Sequence, residues 1–241
     1  MKYAAEVLKR FEIENYNATC NPIIPGQKIG KDENGIEVDA TLYKQIVGNL
    51  MYLTTTCPDL MFVVSLISHF MASPTQCRFV VAKRVLRYLK STMNYGVFYM
   101  KGGVSDLVGF SDSDYACDMK DSKITLGAYV FMMSGGAIAW SSRKQSIVTL
   151  LTIDAEFVDV VACACQAIWM RRILKEIGYS QTEGTKLMCD NASTIKLSNN
   201  LVLYGGSKHI RVRFHFLRDL TKKELLICCF VVLKINLLIY R

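Results

Sequence analysis

Apolar residues change their rhythm along the chain near residue 95. Before that point they recur every three to four positions, the spacing that gives a helix one apolar face. It predicts a short helix over 2–11 and three longer ones over 39–56, 59–71 and 75–93. The intervening stretch 17–35 contains NPIIPGQKIGKDENG, a run of turn residues. Asp39 is placed to cap the second helix, Pro58 stands where the third restarts, and Pro74 separates the third from the fourth.

After Tyr95 the pattern becomes β-like, with the short runs YGVFYM, DLVGFSDSDYA, LGAYVFMM and GAIAWSSRK. Gly102-Gly103 and Gly135-Gly136 separate runs as hairpin signals. A long helix over 153–177 ends at Gly178, followed by a short strand KLMCD, a helix over 192–198, a Gly205-Gly206 loop and a basic helix over 210–222. The order is helices first, then β-β-β-α-β-α. Strands 1 to 3, joined by tight turns, are expected to be antiparallel, and the strand reached through the long helix parallel to strand 1. The prediction is an α/β chain: a mixed sheet with flanking helices, preceded by a helical subdomain.

Composition sharpens this picture. The 241 residues suit one large domain, or one with a smaller companion, and a 51% hydrophobic content excludes a disordered chain. Twenty-nine basic against 21 acidic residues leave a net charge of +8, which favours a polyanionic partner. The nine cysteines are odd in number and form no CxxC pair, so reduced, mostly buried thiols are expected. MKYAAEVLKRFEIEN is amphipathic and charged rather than a secretory signal, which points to an intracellular protein of the cytoplasm or nucleus. The closing run is apolar without interruption only from Leu225 to Leu233. A membrane span needs about 20 apolar residues, so a buried strand is expected there instead.

The candidate chemistry lies in acidic residues at element boundaries. Asp112 and Asp114 in GFSDSDYA share one face of a strand, Glu156 lies early in the long helix, and Asp190 ends KLMCD. Three such carboxylates can converge, and their mutual repulsion calls for a hard divalent cation such as Mg²⁺. Two metals so held suit phosphodiester cleavage. Asp154 and Asp159 are expected on a solvated helix face, and a helix cap is the lesser alternative for Asp190. Basic residues form two stripes: Lys83, Arg87 and Lys90 on one helix, with Val81, Val85 and Leu89 opposite, and Arg211, His215, Arg218 and Lys222 on another. Such stripes suit a phosphate backbone, although a solvated helix face is the commoner use of the pattern. Ser134, Ser141 and Ser142 have no His/Asp pairing for a triad. There is no P-loop or GxGxxG, so no small-molecule cofactor is expected.

Taken in order, YKQIVGNLMYLTTTCPDLMFVVSLISHFMASPT, AKRVLRYLKSTMNYGV, FSDSDYA, WSSRKQSIV, DAEFV, WMRRIL, CDNAST and SKHIRVRFHFLRD make a chain that closely resembles the C-terminal part of a copia-type LTR-retrotransposon Pol polyprotein. The resemblance spans about 2–223. It implies that 1–94 corresponds to the thumb and connection region of reverse transcriptase, 95–233 to a ribonuclease H-like domain, and 234–241 to an atypical tail. The implied activity is Mg²⁺- or Mn²⁺-dependent hydrolysis of RNA in an RNA/DNA hybrid, using two ions where the site is intact. Motif by motif, Asp112 corresponds to the first-strand ligand, Glu156 to the helix carboxylate and Asp190 to the ligand ending the parallel strand. Asp114 and His209 are auxiliary candidates. Lys83, Arg87, Lys90, Lys208, Arg213 and Arg218 are the expected nucleic-acid contacts.

The departures are specific. The palm and its paired aspartates lie outside the chain, so no polymerase activity is expected. Where the resemblance implies an aspartate after His-Ile, this chain has Arg211, and Asp219, eight positions on, is about 12 Å away along a helix. The run KKELLICCFVVLKINLLIYR also leaves the family's pattern. Hydrolysis is therefore expected to be weakened or lost, and the alternative is a non-catalytic nucleic-acid-binding remnant.

Overall fold

The computed structural model describes residues 2–24, 29, 35–102, 106–114, 126–145, 152–190 and 208–230; at 113–114, 126, 144, 152–153 and 208–211 it describes the backbone alone. The chain forms two compact units that divide between Val97 and Phe98.

The first unit is helical: α1 (Lys2–Arg10), α2 (Ala40–Leu53), a 3₁₀ turn (Pro58–Leu60), α3 (Met61–Ser68) and α4 (Gln76–Thr92). The Asp39 carboxylate accepts from the Thr41 amide at 2.8 Å, so the cap read from sequence starts α2. Tyr43, Ile46 and Leu50 of α2, Val63 and Ile67 of α3, and Val85 and Leu86 of α4 fill the core. The Tyr43 hydroxyl donates to the Ile67 carbonyl at 2.9 Å, and burial pushes its pKa up to about 12. Asp59 lies in the 3₁₀ turn ahead of α3 and accepts from the Tyr88 hydroxyl; burial raises the pKa of both groups.

The basic stripe of α4 is turned to an internal task. Lys90 Nζ donates to the carbonyls of Glu14 at 2.6 Å and Tyr16 at 2.9 Å, and Arg87 Nε donates to that of Asn17 at 2.6 Å. Arg84 and Ser91 hold Asn21 and Thr19 in the same way. A segment too polar to bury thus satisfies its carbonyls on cationic side chains. Lys83 lies over the Phe79 ring at 4.6 Å.

The second unit is a five-stranded mixed sheet of order β3-β2-β1-β4-β5. Its strands are β1 (Val108–Asp114), β2 (Leu126–Met133), β3 (Gly136–Lys144), β4 (Thr185–Cys189) and β5 (Leu226–Phe230), with α5 (Thr152–Glu176) and α6 (Lys208–Lys222) as its helices. β1, β2 and β3 are antiparallel neighbours, while β4 runs parallel to both β1 and β5. Ser134 (φ 52°) and Gly135 (φ 80°) make the tight turn between β2 and β3, a conformation Gly135 adopts without strain. Gly178 (φ 87°) follows the end of α5 as read. The fold class is that expected from the sequence. The helix expected over 192–198, the Gly205-Gly206 loop and the tail 234–241 lie outside the described residues.

One expected strand is not formed. YGVFYM alternates and is aromatic, yet Phe98, Tyr99 and Met100 are all at least half exposed. The segment meets the β2–β3 turn instead: the Met100 amide donates to the Ser134 carbonyl at 2.9 Å and the Tyr99 hydroxyl to that of Ala137 at 2.7 Å. Its ring lies over Gly136, where a Cβ would come within 2.6 Å of it.

The core lies between sheet and helices, where Phe131, Leu187, Phe157, Ala164 and Leu217 are buried. Phe157 of α5 stacks on Phe214 of α6 with ring centroids 3.9 Å apart. A Cβ at Gly109 would meet Leu187 and Phe131 at 2.8 Å and Cys163 at 3.2 Å, so this position admits no larger residue under α5. The described cysteines are all free thiols. No helix among the described residues is long and apolar enough to cross a membrane.

Candidate functional site

Parallel pairing of β1 with β4 places the first two carboxylates. Ser111 is in register with Cys189, so the next residues, Asp112 late in β1 and Asp190 just past the end of β4, stand side by side. Glu156 arrives from the early turns of α5. Asp112, Glu156 and Asp190 each offer an oxygen such that these atoms lie within 4.8 Å of one another. Asp112 and Asp190 are exposed and Glu156 is partly buried. Three carboxylates so close repel one another, and hard oxygen donors facing a common point fit a hard divalent cation.

A fourth acid stands behind them. Asp159, one turn beyond Glu156, was expected on a solvated face but is only 6% exposed. Gly127 on β2 leaves room for it, because a Cβ there would overlap the Asp159 carboxylate. Gln145 Nε2 donates to Asp159 Oδ2 at 2.6 Å and to the Ala155 carbonyl at 2.8 Å. Burial pushes Asp159 up to about 7; Gln145 opposes this, the charges of Glu156 and Asp112 add to it, and Arg143 works against it. The i, i+3 spacing from Glu156 put both acids near one helix face. What a single helix could not disclose was the gap at Gly127 in which Asp159 is buried.

The remaining candidates divide by unit. Lys83, Arg87 and Lys90 belong to the first unit and the carboxylates to the second. On α6, Arg218 Nη2 donates to His215 Nδ1 at 3.3 Å. Arg213 lines a groove that also includes Arg143, Tyr129, Gln145, Asp159 and Phe216. The side chains of Asp114, Lys208, His209 and Arg211 lie outside the described residues, although α6 begins at Lys208 and so carries Arg211 in its first turn.

The chain has sequence relatives among known proteins. No family model matches the chain. It is 33% identical over 218 residues to the retrovirus-related Pol polyprotein from transposon RE1 of Arabidopsis thaliana, covering 90% of this chain and 15% of that protein. It is 35% identical over 233 residues to that from transposon TNT 1-94 of Nicotiana tabacum, covering 92% of this chain and 17% of that protein. Among solved structures, LC11-RNase H1 in complex with an RNA/DNA hybrid is similar with a TM-score of 0.37 and 10% identity, over 52% of this chain and 85% of that one. The chain thus spans about one sixth of the length of these Pol polyproteins. It belongs to the copia-type retrotransposon Pol polyprotein family.

Proposed function

We propose that the second unit hydrolyses the RNA strand of an RNA/DNA hybrid in a divalent-metal-dependent reaction. The observation that carries this reading is the convergence of Asp112, Glu156 and Asp190 oxygens within 4.8 Å. Asp112 and Asp190 hold the open side of the site and Glu156 its helix side. When bound, Mg²⁺ or Mn²⁺ supplies the positive charge that polarises a phosphodiester and makes a water acidic enough to attack it. The chain's own part is to fix three anionic oxygens at one point on rigid elements, with Gly109 keeping α5 close to the sheet. Arg211, standing where the resemblance implies an aspartate, brings positive charge to that position in the family pattern and lowers turnover.

The test is cleavage of a labelled RNA/DNA hybrid with Mg²⁺ or Mn²⁺. Asp112→Asn should abolish it, and activity indifferent to that change overturns the assignment. Arg211→Asp should raise cleavage. If no variant cleaves while hybrid binding persists, the non-catalytic binding reading replaces this one.

A further inference from the structure

Gln145 is the first residue past β3, and its side chain reaches α5 on either side of Glu156. Its Nε2 donates one hydrogen to the Ala155 carbonyl at 2.8 Å and the other to Asp159 Oδ2 at 2.6 Å. Glu156 directly follows the first acceptor and stands one turn before the second. It is also the fifth residue of α5, in the stretch a helix holds least well by itself, because the first four amides of a helix have no carbonyl within it to bond. The sheet supplies what this helix end lacks. Asp159 is lodged in the gap at Gly127 of β2, so the second acceptor is fixed as well. Gln145 gains little stability from the arrangement: its Oε1 is buried without a partner among the described residues, and an orphaned acceptor offsets much of what the two bonds contribute. What remains is a fixed geometry.

We propose that Gln145 is the positioning residue for Glu156, holding the early turns of α5 so that the helix carboxylate meets the two strand carboxylates at the cation. It acts through the Ala155 carbonyl and Asp159 rather than on the cation. Asp112 and Asp190 need no such tie, because the pairing of β1 with β4 sets them side by side. The clamp is therefore specific to one of the three carboxylates. Residues that orient a metal's ligands in this way are worth about 10–100-fold in metal affinity. The role rests on the metal-dependent reading of the trio and adds a residue to it.

The experiment titrates Mn²⁺ into the full chain without nucleic acid and follows the free ion by electron paramagnetic resonance, so that no turnover enters. Gln145→Met keeps the length of the side chain and loses both donors, whereas Gln145→Asn keeps the amide but is too short to reach both acceptors. Each should weaken Mn²⁺ binding about tenfold. In a Glu156→Gln background Gln145→Met should have no further effect, and in an Asp190→Asn background it should have its full tenfold effect. A general loosening of the unit would weaken binding in both backgrounds. That result, or wild-type affinity in both single variants, overturns the role of Gln145 and leaves the metal-dependent reading standing. Mn²⁺ binding indifferent to Asp112→Asn removes the site and this role together. A Glu156-dependent effect of Gln145 without cleavage of the hybrid keeps the positioning role and withdraws the hydrolysis.

Discussion

The carboxylate of Asp159 occupies the space that a Cβ on Gly127 would fill. The residue behind the candidate site is thus held by a missing atom on β2 as much as by its hydrogen bond to Gln145. Gly127→Ala must either expel Asp159 or push β2 away from α5. A loss of about 1–3 kcal/mol is expected from such overpacking. Denaturant unfolding checks it, and in a double-mutant cycle Asp159→Ala should absorb much of the loss by vacating the space.

Asp159 also gives stability a pH dependence. In the folded chain it keeps its proton up to about 7, whereas an unfolded aspartate releases it near 3.8. Between these values the native state binds more protons than the unfolded one. Its stabilising contribution is therefore complete below about 4 and is lost as pH rises through 7. Asp159→Asn, which keeps an acceptor for Gln145, should flatten that slope in metal-free unfolding curves measured from pH 4 to 8.

Neutralising the trio should stabilise the second unit. Mg²⁺ or Mn²⁺ titrated into the chain is expected to raise its unfolding temperature in a saturable way, because a ligand that binds only the folded state shifts the equilibrium by mass action. Asp112→Asn and Asp190→Asn should each abolish most of the shift. Calorimetric scans with and without the ion measure it, and an undiminished shift in both variants would place the ion elsewhere.

In the first unit, Tyr88→Phe leaves the partly buried Asp59 without its hydroxyl donor. A destabilisation of about 1 kcal/mol is expected for the lost hydrogen bond, because the backbone amides of Asp59 and Leu60 still donate to the carboxyl. The variant should also make stability fall more sharply as pH rises, since the donation from Tyr88 is what restrains the raised pKa of Asp59.

Arg87→Ala and Lys90→Ala should release the segment from Glu14 to Asn17 that their side chains hold. Limited proteolysis within that segment is expected to accelerate several-fold, with little change in the rest of the unit. A change in hybrid affinity without a change in cleavage pattern would instead assign these cations to nucleic-acid contact.

Much of this arrangement was legible in the sequence because its signals are local. Asp39 caps the helix it precedes, the glycine pair Gly135-Gly136 marks the hairpin although the turn itself sits one position earlier at Ser134-Gly135, and the crossover through α5 made β4 parallel to β1 and so brought Asp190 beside Asp112. The failures were tertiary. YGVFYM satisfies the alternation of a strand, but its partner is a turn, not an edge. Asp159 reads as solvent-facing until a glycine on another strand is seen to make room for it. The α4 stripe has the periodicity of a polyanion surface, yet Arg87 and Lys90 meet carbonyls far back in their own chain.

The closure of β4 by β5 ties the carboxylate site to a distant stretch of coding sequence. Thr185 to Cys189 is flanked on one side by β1 and on the other by Leu226 to Phe230, which the chain supplies only after α6. A stop or frameshift between Asp190 and Leu226 would strip β4 of that neighbour and loosen the strand end from which Asp190 projects, although all three acidic codons would survive. Among degenerate copies of such an element, an intact acidic motif is therefore a weaker sign of a working site than an intact motif followed by an apolar strand.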